Sequence, residues 1–107
     1  MISPSEALKN LEKHVDILGK ARNDYLMLEG EKKHFEAKLI QTAQGKSHAE
    51  REVNAQASIE WREFHKKLAR ALSIMEFQKL KYQILEKTWL TAYLDAKMDH
   101  QLIRKQD

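Results

Sequence analysis

The stretch Gly45-Lys46-Ser47-His48-Ala49-Glu50 decides the fold, because one helix stops and another starts within it. A glycine that follows a long apolar repeat is typical of a helix end, since it adopts left-handed backbone conformations without a clash at Cβ. Ser47, followed three residues later by Glu50, forms a capping box that favours a new helix. A stop and a restart at this spacing predict a tight turn over residues 45–47 between two antiparallel helices.

The segment before the turn carries a single apolar stripe. It starts with another capping box, Ser3 to Glu6, and Pro4 suits the first position of a helix. Apolar residues then recur at steps of three and four, as on one face of an α-helix. The members of this stripe are Leu8, Leu11, Val15, Leu18, Ala21, Tyr25, Leu28, Phe35, Leu39 and Ala43. We predict a first helix over about residues 4–44.

The segment after the turn repeats the pattern more regularly. Alternating steps of three and four produce a heptad seam like that of a coiled coil. The seam residues are Trp61, Phe64, Leu68, Ala71, Met75, Gln78, Tyr82, Leu85, Trp89, Ala92 and Ala96. Because no proline or glycine follows Gly45, we predict a second helix over about residues 48–104, and the sequence leaves open whether it is straight, bent or broken.

Composition agrees with an all-α fold. The chain has 107 residues with one proline, three glycines and no cysteine, which are too few chain breakers for a β-sheet domain. We therefore predict a single domain over residues 1–107, a long antiparallel helical hairpin that resembles a coiled coil. The absence of cysteine excludes disulfides and fits a reducing compartment. With no secretory signal and no run of ~20 apolar residues, the sequence predicts a cytoplasmic protein with no membrane span.

The second helix has more apolar surface than one partner helix covers. A neighbouring stripe contains Phe77, Leu80, Ile84 and Leu94, and the helix beyond Leu85 is expected to overhang the first. Exposed apolar patches usually mark interfaces, so we predict a homo-oligomer, with two hairpins forming a four-helix bundle. The predicted interface residues are Trp61, Phe64, Leu68, Met75, Tyr82, Leu85, Trp89, Tyr93 and Leu94. The alternative is a monomer whose second helix breaks near Ser73 to give a three-helix bundle.

Candidate residues for catalysis or metal binding are not evident. The five histidines, His14, His34, His48, His65 and His100, form no local metal-ligand pattern, and we expect them on the surface or at its rim. Acidic pairs are flanked by lysines, and no phosphate loop or nucleophile motif occurs. We therefore predict no enzyme activity, no catalytic or metal site and no cofactor.

One charged pattern suggests an alternative function. Arg62, Lys66 and Arg70 are spaced four apart on one helix face, with Lys67 beside them. A basic row of this kind is a candidate for contact with nucleic-acid phosphates. The simpler interpretation, which we favour, is a solvated basic face.

Part of the chain resembles a known group of proteins. The features are Ala37-Lys38-Leu39, Gly45 to Glu52, and Ala55-Gln56-Ala57-Ser58, followed by the residues Trp61, Leu68, Glu76–Lys81 and Lys87-Thr88-Trp89-Leu90-Thr91. From Leu28 to about Lys97 the sequence is similar to small helical proteins encoded by tailed bacteriophages. The group commonly has an arginine after the late tryptophan, where this chain has Leu90.

The resemblance implies a role but no catalytic residue. Genes of this group often lie near genes for single-strand annealing or single-strand binding proteins. It therefore implies an accessory role in phage recombination or replication, with a phage or host protein of DNA metabolism as partner. We expect an oligomeric helical adaptor. The alternatives are a direct DNA-binding protein and an inhibitor of a host nuclease or defence complex.

Overall fold

The chain forms three α-helices in a computed structural model that describes the backbone of residues 2–106 and the side chains of residues 2–101. They are α1 (Pro4–Thr42), α2 (His48–Gln56) and α3 (Ile59–Gln106). All the regular secondary structure in the described residues is helical. The predicted all-α class is confirmed. The predicted hairpin, in which a long helix is followed by a turn and a second helical segment, is confirmed as well.

Helix α1 starts at the predicted capping box. The Ser3 hydroxyl accepts a hydrogen bond from the Glu6 backbone N–H at 3.2 Å, and the Ser3 carbonyl accepts one from Ala7 N–H at 3.0 Å. Both bonds satisfy donors that a helix N-terminus leaves without intrahelical partners. The helix then continues without interruption for 39 residues and ends at Thr42, two residues before the predicted end.

The turn depends on Gly45, as predicted. Its φ of +154° lies in a region that side-chain-bearing residues rarely adopt. Space excludes a side chain as well, because a Cβ would lie 2.9 Å from the backbone nitrogen of Arg51. Ser47 caps α2 by accepting the Glu50 N–H at 3.2 Å. The Glu50 carboxylate accepts the N–H of Lys46 at 2.9 Å. In a standard capping box it would accept the N–H of the N-cap residue, Ser47.

The second helical segment is not continuous, a point that the sequence left open for the helix predicted over residues 48–104. It is divided at Ala57 and Ser58 into α2 and α3. The Ser58 hydroxyl donates to the Ala55 carbonyl at 2.6 Å and accepts the Trp61 N–H at 3.2 Å. Ser58 thus acts as an N-cap and starts α3. The alternative break near Ser73 does not occur, because α3 is helical throughout its 48 residues.

Contacts divide the chain into two compact units. Unit one contains the residues up to Lys20 and those from Glu76 onward, and unit two contains Ala21–Met75. In unit two, the ring centroids of Phe35 and Phe64 lie 4.8 Å apart. Trp61 stacks beside both rings. Leu68 of α3 is also buried in this unit. The packing of these α3 side chains against Phe35 of α1 confirms the predicted seam of α3 in unit two.

Unit one has a different kind of core. Its buried side chains are Ala7 and Ala92, together with His14, which is 2% exposed. His14 Nε2 lies 2.9 Å from the carbonyl oxygen of Gln78. Because a carbonyl only accepts, Nε2 donates this bond. The inward face of α1 therefore passes through Ala7 and His14, and the predicted positions Leu8 and Val15 are exposed.

The direction of packing in unit one is antiparallel, as predicted, but its extent differs from the prediction. Ile2, at the start of the described chain, lines the same groove as Ala92 and Asp95 of α3. Ala92 is buried. The expectation that α3 overhangs from Leu85 is therefore wrong. Ile2, before α1, lies near α3 at Ala92 and Asp95.

None of the helices in the described part of the chain contains a stretch that is both long and apolar enough to cross a lipid bilayer.

Candidate protein-interaction surface

The predicted interface residues fall mainly on the inward seam of α3. Phe64 and Leu68 are buried within unit two, and Trp61 stacks on Phe35. Tyr82 stacks on His14, with ring centroids 6.5 Å apart, within unit one. The half-buried members of the seam are Trp61, Met75, Tyr82, Leu85 and Trp89. Phe64 and Leu68 are therefore covered within the chain itself, and an interface role for the half-buried members stays a prediction. Of the predicted interface residues, only Tyr93 and Leu94 are exposed.

A second apolar row lies on the opposite side of α3 in unit one. It contains Phe77, Leu80, Ile84, Leu94 and Met98, and we name it the outer row. Each member follows an inward seam position by two residues, a rotation of about 200° around a helix. Phe77, Leu80 and Ile84 are 62%, 60% and 64% exposed. The outer row therefore points away from the inward seam, which is already covered.

The outer row keeps the spacing of a coiled-coil seam. Its positions alternate in steps of three and four from Phe77 to Met98, with Lys87 and Thr91 at the two polar positions. Heptad spacing on an exposed face is the pattern that a second helix recognises through knobs-into-holes packing. Leu90 and Tyr93 widen the surface, and Tyr93 stacks on Trp89 with ring centroids 5.9 Å apart.

Charges of both signs flank the outer row. Glu76 and Asp95 are acidic, and Lys81 and Lys97 are basic. Two copies of a surface that carries both positive and negative charges can meet without a net like-charge repulsion. Charges of both signs at flanking positions often determine the partner and the register of a helix pair. The outer row is thus electrostatically compatible with itself.

The basic row lies in unit two. Arg62, Lys66, Lys67 and Arg70 are all exposed. Lys66 forms one ion pair, with Glu63 at 3.5 Å, on the same helix. The aromatic residues Trp61 and Phe64 point inward into the stack with Phe35, so they are not base-stacking platforms for this row.

The histidines are not all on the surface. His14 is buried and hydrogen-bonded, so the prediction that all five are surface or rim residues is wrong for this one. His34, His48 and His100 are exposed, while His65 is half-buried with its ring edge-on to Trp61. Within the part of the chain that the structure describes, no group of three or more His, Asp or Glu side chains is placed to hold a metal ion.

Gln78 shows a further polar feature of the inward seam. Its side-chain oxygen Oε1 is buried and has no hydrogen-bond partner in the described residues. Its backbone carbonyl receives the His14 hydrogen bond. A polar residue at a seam position fixes the register of helix pairing at some cost in stability. The contact with His14 involves the Gln78 backbone and leaves the Gln78 side-chain oxygen unpaired within the described residues.

Comparison of the chain with protein-family models, curated proteins and solved structures found no match.

Proposed function

We propose that this protein is a non-enzymatic helical adaptor that self-associates through the outer row of α3. The observation that carries the proposal is the exposure of Phe77, Leu80 and Ile84 at coiled-coil spacing on a face directed away from α1. Large apolar side chains grouped on one face are characteristic of interaction sites. Phe64 and Leu68 of the inward seam are already buried, so the outer row is the apolar row of α3 that is open to another helix.

A second copy of the chain is the occupant that we propose. Two-fold symmetry is the commonest way for a soluble chain to cover an apolar face. The flanking charges Glu76, Lys81, Asp95 and Lys97 suit such self-pairing because they include both signs. Two hairpins joined in this way pair the two copies of α3, with each α1 on the far side, and this arrangement differs from the four-helix bundle around one core that the sequence predicted.

The biological role in this proposal comes from the sequence resemblance. The adaptor acts in phage recombination or replication by contacting a protein of DNA metabolism, with no cofactor and no membrane attachment. Because the chain has no cysteine, which fits a reducing compartment, we place it in the cytoplasm of the host cell. Affinity purification from infected cells identifies the partner, and recovery of an annealing or single-strand binding protein is the expected result.

Self-association is tested by light scattering on matched variants. A Phe77→Ser, Ile84→Ser double variant removes two members of the outer row. The control is a Met27→Ser, Ile59→Ser double variant, which removes two equally exposed apolar side chains from unit two. We expect a dimer or larger assembly for the natural chain and for the control, and a monomer for the outer-row variant. A monomeric natural chain at all accessible concentrations would refute the proposal.

Direct DNA binding is the second candidate function, favoured by the exposure of all four residues of the basic row. Binding to oligonucleotides would weaken as salt rises, because each phosphate contact releases counterions. An Arg62→Ala, Arg70→Ala double variant should lower both the affinity and the salt dependence. An absence of binding at low salt excludes this function.

A further inference from the structure

An open groove of about 590 Å³ lies in unit two, beside the turn between α1 and α2. We name it the tip groove. Its polar lining comes from His34, Lys38 and Gln41 of α1 and from His48 and Arg51 of α2. Residues spaced three, four and seven apart share one helix face, so the two helices each present a set of nitrogen-bearing side chains to the same space. Two apolar residues of α1 complete the lining.

The tip groove has basic residues but no carboxylate among its lining residues. Among the residues that the structure describes, the one acidic side chain that pairs with any of them is Glu52, whose carboxylate lies 3.9 Å from the exposed His48. Neither Lys38 nor Arg51 forms an ion pair within the described residues. Positive charges that lie close together without acidic partners raise the local concentration of anions.

Arg51 provides a second observation. Its Nε atom is buried and has no hydrogen-bond partner among the residues that the structure describes. A buried donor on a charged group is costly to leave unpaired, and an anion with several oxygens is the chemical group that satisfies a guanidinium fork. Arg51 lines the groove and its guanidinium has no acidic partner among the described residues, so it is the side chain best suited to an anion there.

The position of Arg51 is set by the turn. The backbone N–H of Arg51 donates to the Ser47 carbonyl at 3.1 Å. Gly45 lies so close that a Cβ there would approach both the Arg51 nitrogen and the Arg51 Cγ atom. The Asn54 side-chain amide also donates to the Gln44 carbonyl and ties α2 to the loop. Pre-organised side chains bind with a smaller loss of conformational entropy.

We propose that the tip groove binds a phosphate group, with Arg51 and Lys38 as its main ligands and His34 and His48 as additional donors. This site is separate from the outer row and does not depend on self-association. The phosphate can belong to a free small molecule or to a nucleic-acid backbone. The chemistry at Arg51 and Lys38 is the same in both cases, and the experiment distinguishes the two sources.

Two-dimensional amide NMR of the full chain tests the site. Inorganic phosphate, or a short single-stranded oligonucleotide, is titrated against sodium chloride of matched ionic strength. We expect saturable shifts at residues around the tip groove. Arg51→Gln and Lys38→Gln should each weaken binding roughly tenfold, as expected for the loss of a charge-assisted hydrogen bond. Lys33→Gln is the matched control, since Lys33 is an exposed lysine of α1 outside the groove, and it should bind normally.

The outcomes separate support from refutation. Groove shifts with inorganic phosphate identify a free phosphate ligand, and groove shifts with the oligonucleotide alone identify a nucleic-acid backbone. Both results support the site, provided that the two groove variants weaken binding and Lys33→Gln does not. An absence of saturable shifts with both probes overturns the proposal. Equal weakening by Lys33→Gln also overturns it, because general surface charge would then explain the binding. Lys38→Gln keeps the test valid if Arg51→Gln does not fold.

Discussion

The two units share one heptad pattern but fill it with different side chains. Unit two buries Phe64 and Leu68 and stacks Phe35 on Trp61. Unit one buries only alanines and a histidine among its described residues. Since apolar burial is worth roughly 25 cal/mol per Å², large buried side chains give unit two the stronger core.

The outward side of α3 shows the reverse difference. Two residues after each inward seam position, unit two carries Glu63, Lys66 and Arg70, whereas unit one carries Phe77 and Leu80. At these outward positions of α3, unit two therefore exposes charge, and unit one leaves large apolar groups in contact with water. This contrast teaches that the same repeat can place its large side chains on the packed face in one region and on the exposed face in another, where we propose that they serve association.

Replacing a matched leucine in each unit tests the contrast in core strength. Leu68 is buried and Leu85 is half-buried, and both occupy the inward seam of α3. We expect Leu68→Ala to lower the free energy of unfolding by about 2–5 kcal/mol, the usual cost of truncating a buried leucine. Leu85→Ala should cost less because less of its side chain leaves water on folding. Urea denaturation followed by circular dichroism measures both values. Equal losses would contradict the contrast between the two cores.

The next largest effect is expected at the turn of unit two. Gly45→Ala places a side chain at φ +154° and against the Arg51 backbone. We expect a loss of about 1–3 kcal/mol, typical of a residue forced into a sparsely populated conformation. Thermal or urea unfolding measures the loss.

Gly30 supplies the control for this substitution in the same unit. It lies inside α1, and a Cβ there would meet nothing within 4 Å. Gly30→Ala should therefore stabilise the protein by about 0.5–1 kcal/mol, because alanine is the better helix former. If both substitutions change stability in the same direction, Gly45 does not have the special role that its geometry indicates.

The buried histidine tests what holds the weaker core of unit one. His14→Ala removes the hydrogen bond to the Gln78 carbonyl and the ring stacked on Tyr82. We expect a loss of about 1–2 kcal/mol, close to that of one buried hydrogen bond and its packing. His14→Gln, whose amide can still donate, should recover part of it. His100→Ala, at an exposed position of the same unit, should have little effect, and a loss equal to that of His14→Ala would argue against a structural role for His14.

The sequence predicted the hairpin because the turn is governed by local chemistry. Ser47, Glu50 and Gly45 act within a few residues, and each has the role that its residue type indicates. The seam of α3 was predicted for the same reason, since its large side chains follow the heptad spacing. Where hydrophobicity and spacing agree, the inward face can be identified from sequence alone.

The errors arose where hydrophobicity and spacing disagree. Leu8 and Val15 are apolar, but strict alternation of three and four residues passes through Ala7 and His14. Following the spacing through a histidine would have identified the buried position. The break at Ser58 was missed because its cap lacks the glutamate of a capping box and depends on a hydroxyl bond to Ala55. The separation of the inward seam from the outer row also needed the structure, because both rows are apolar.

The smallest effect is expected on the charged outward side of unit two. Lys66 is exposed and pairs only with Glu63, also exposed, three residues earlier. Solvent screens such pairs, so Lys66→Ala should change the free energy of unfolding by less than about 0.5 kcal/mol. Phe77→Ala, on the same outward side of α3 in unit one, should also leave the fold of a single chain nearly unchanged, but it should weaken self-association. Equilibrium sedimentation with parallel urea titrations separates the two effects. If Lys66→Ala dissociates the assembly and Phe77→Ala does not, the association surface lies on the charged side of α3 in unit two. An exposed lysine can affect association only if the partner contacts the surface around it.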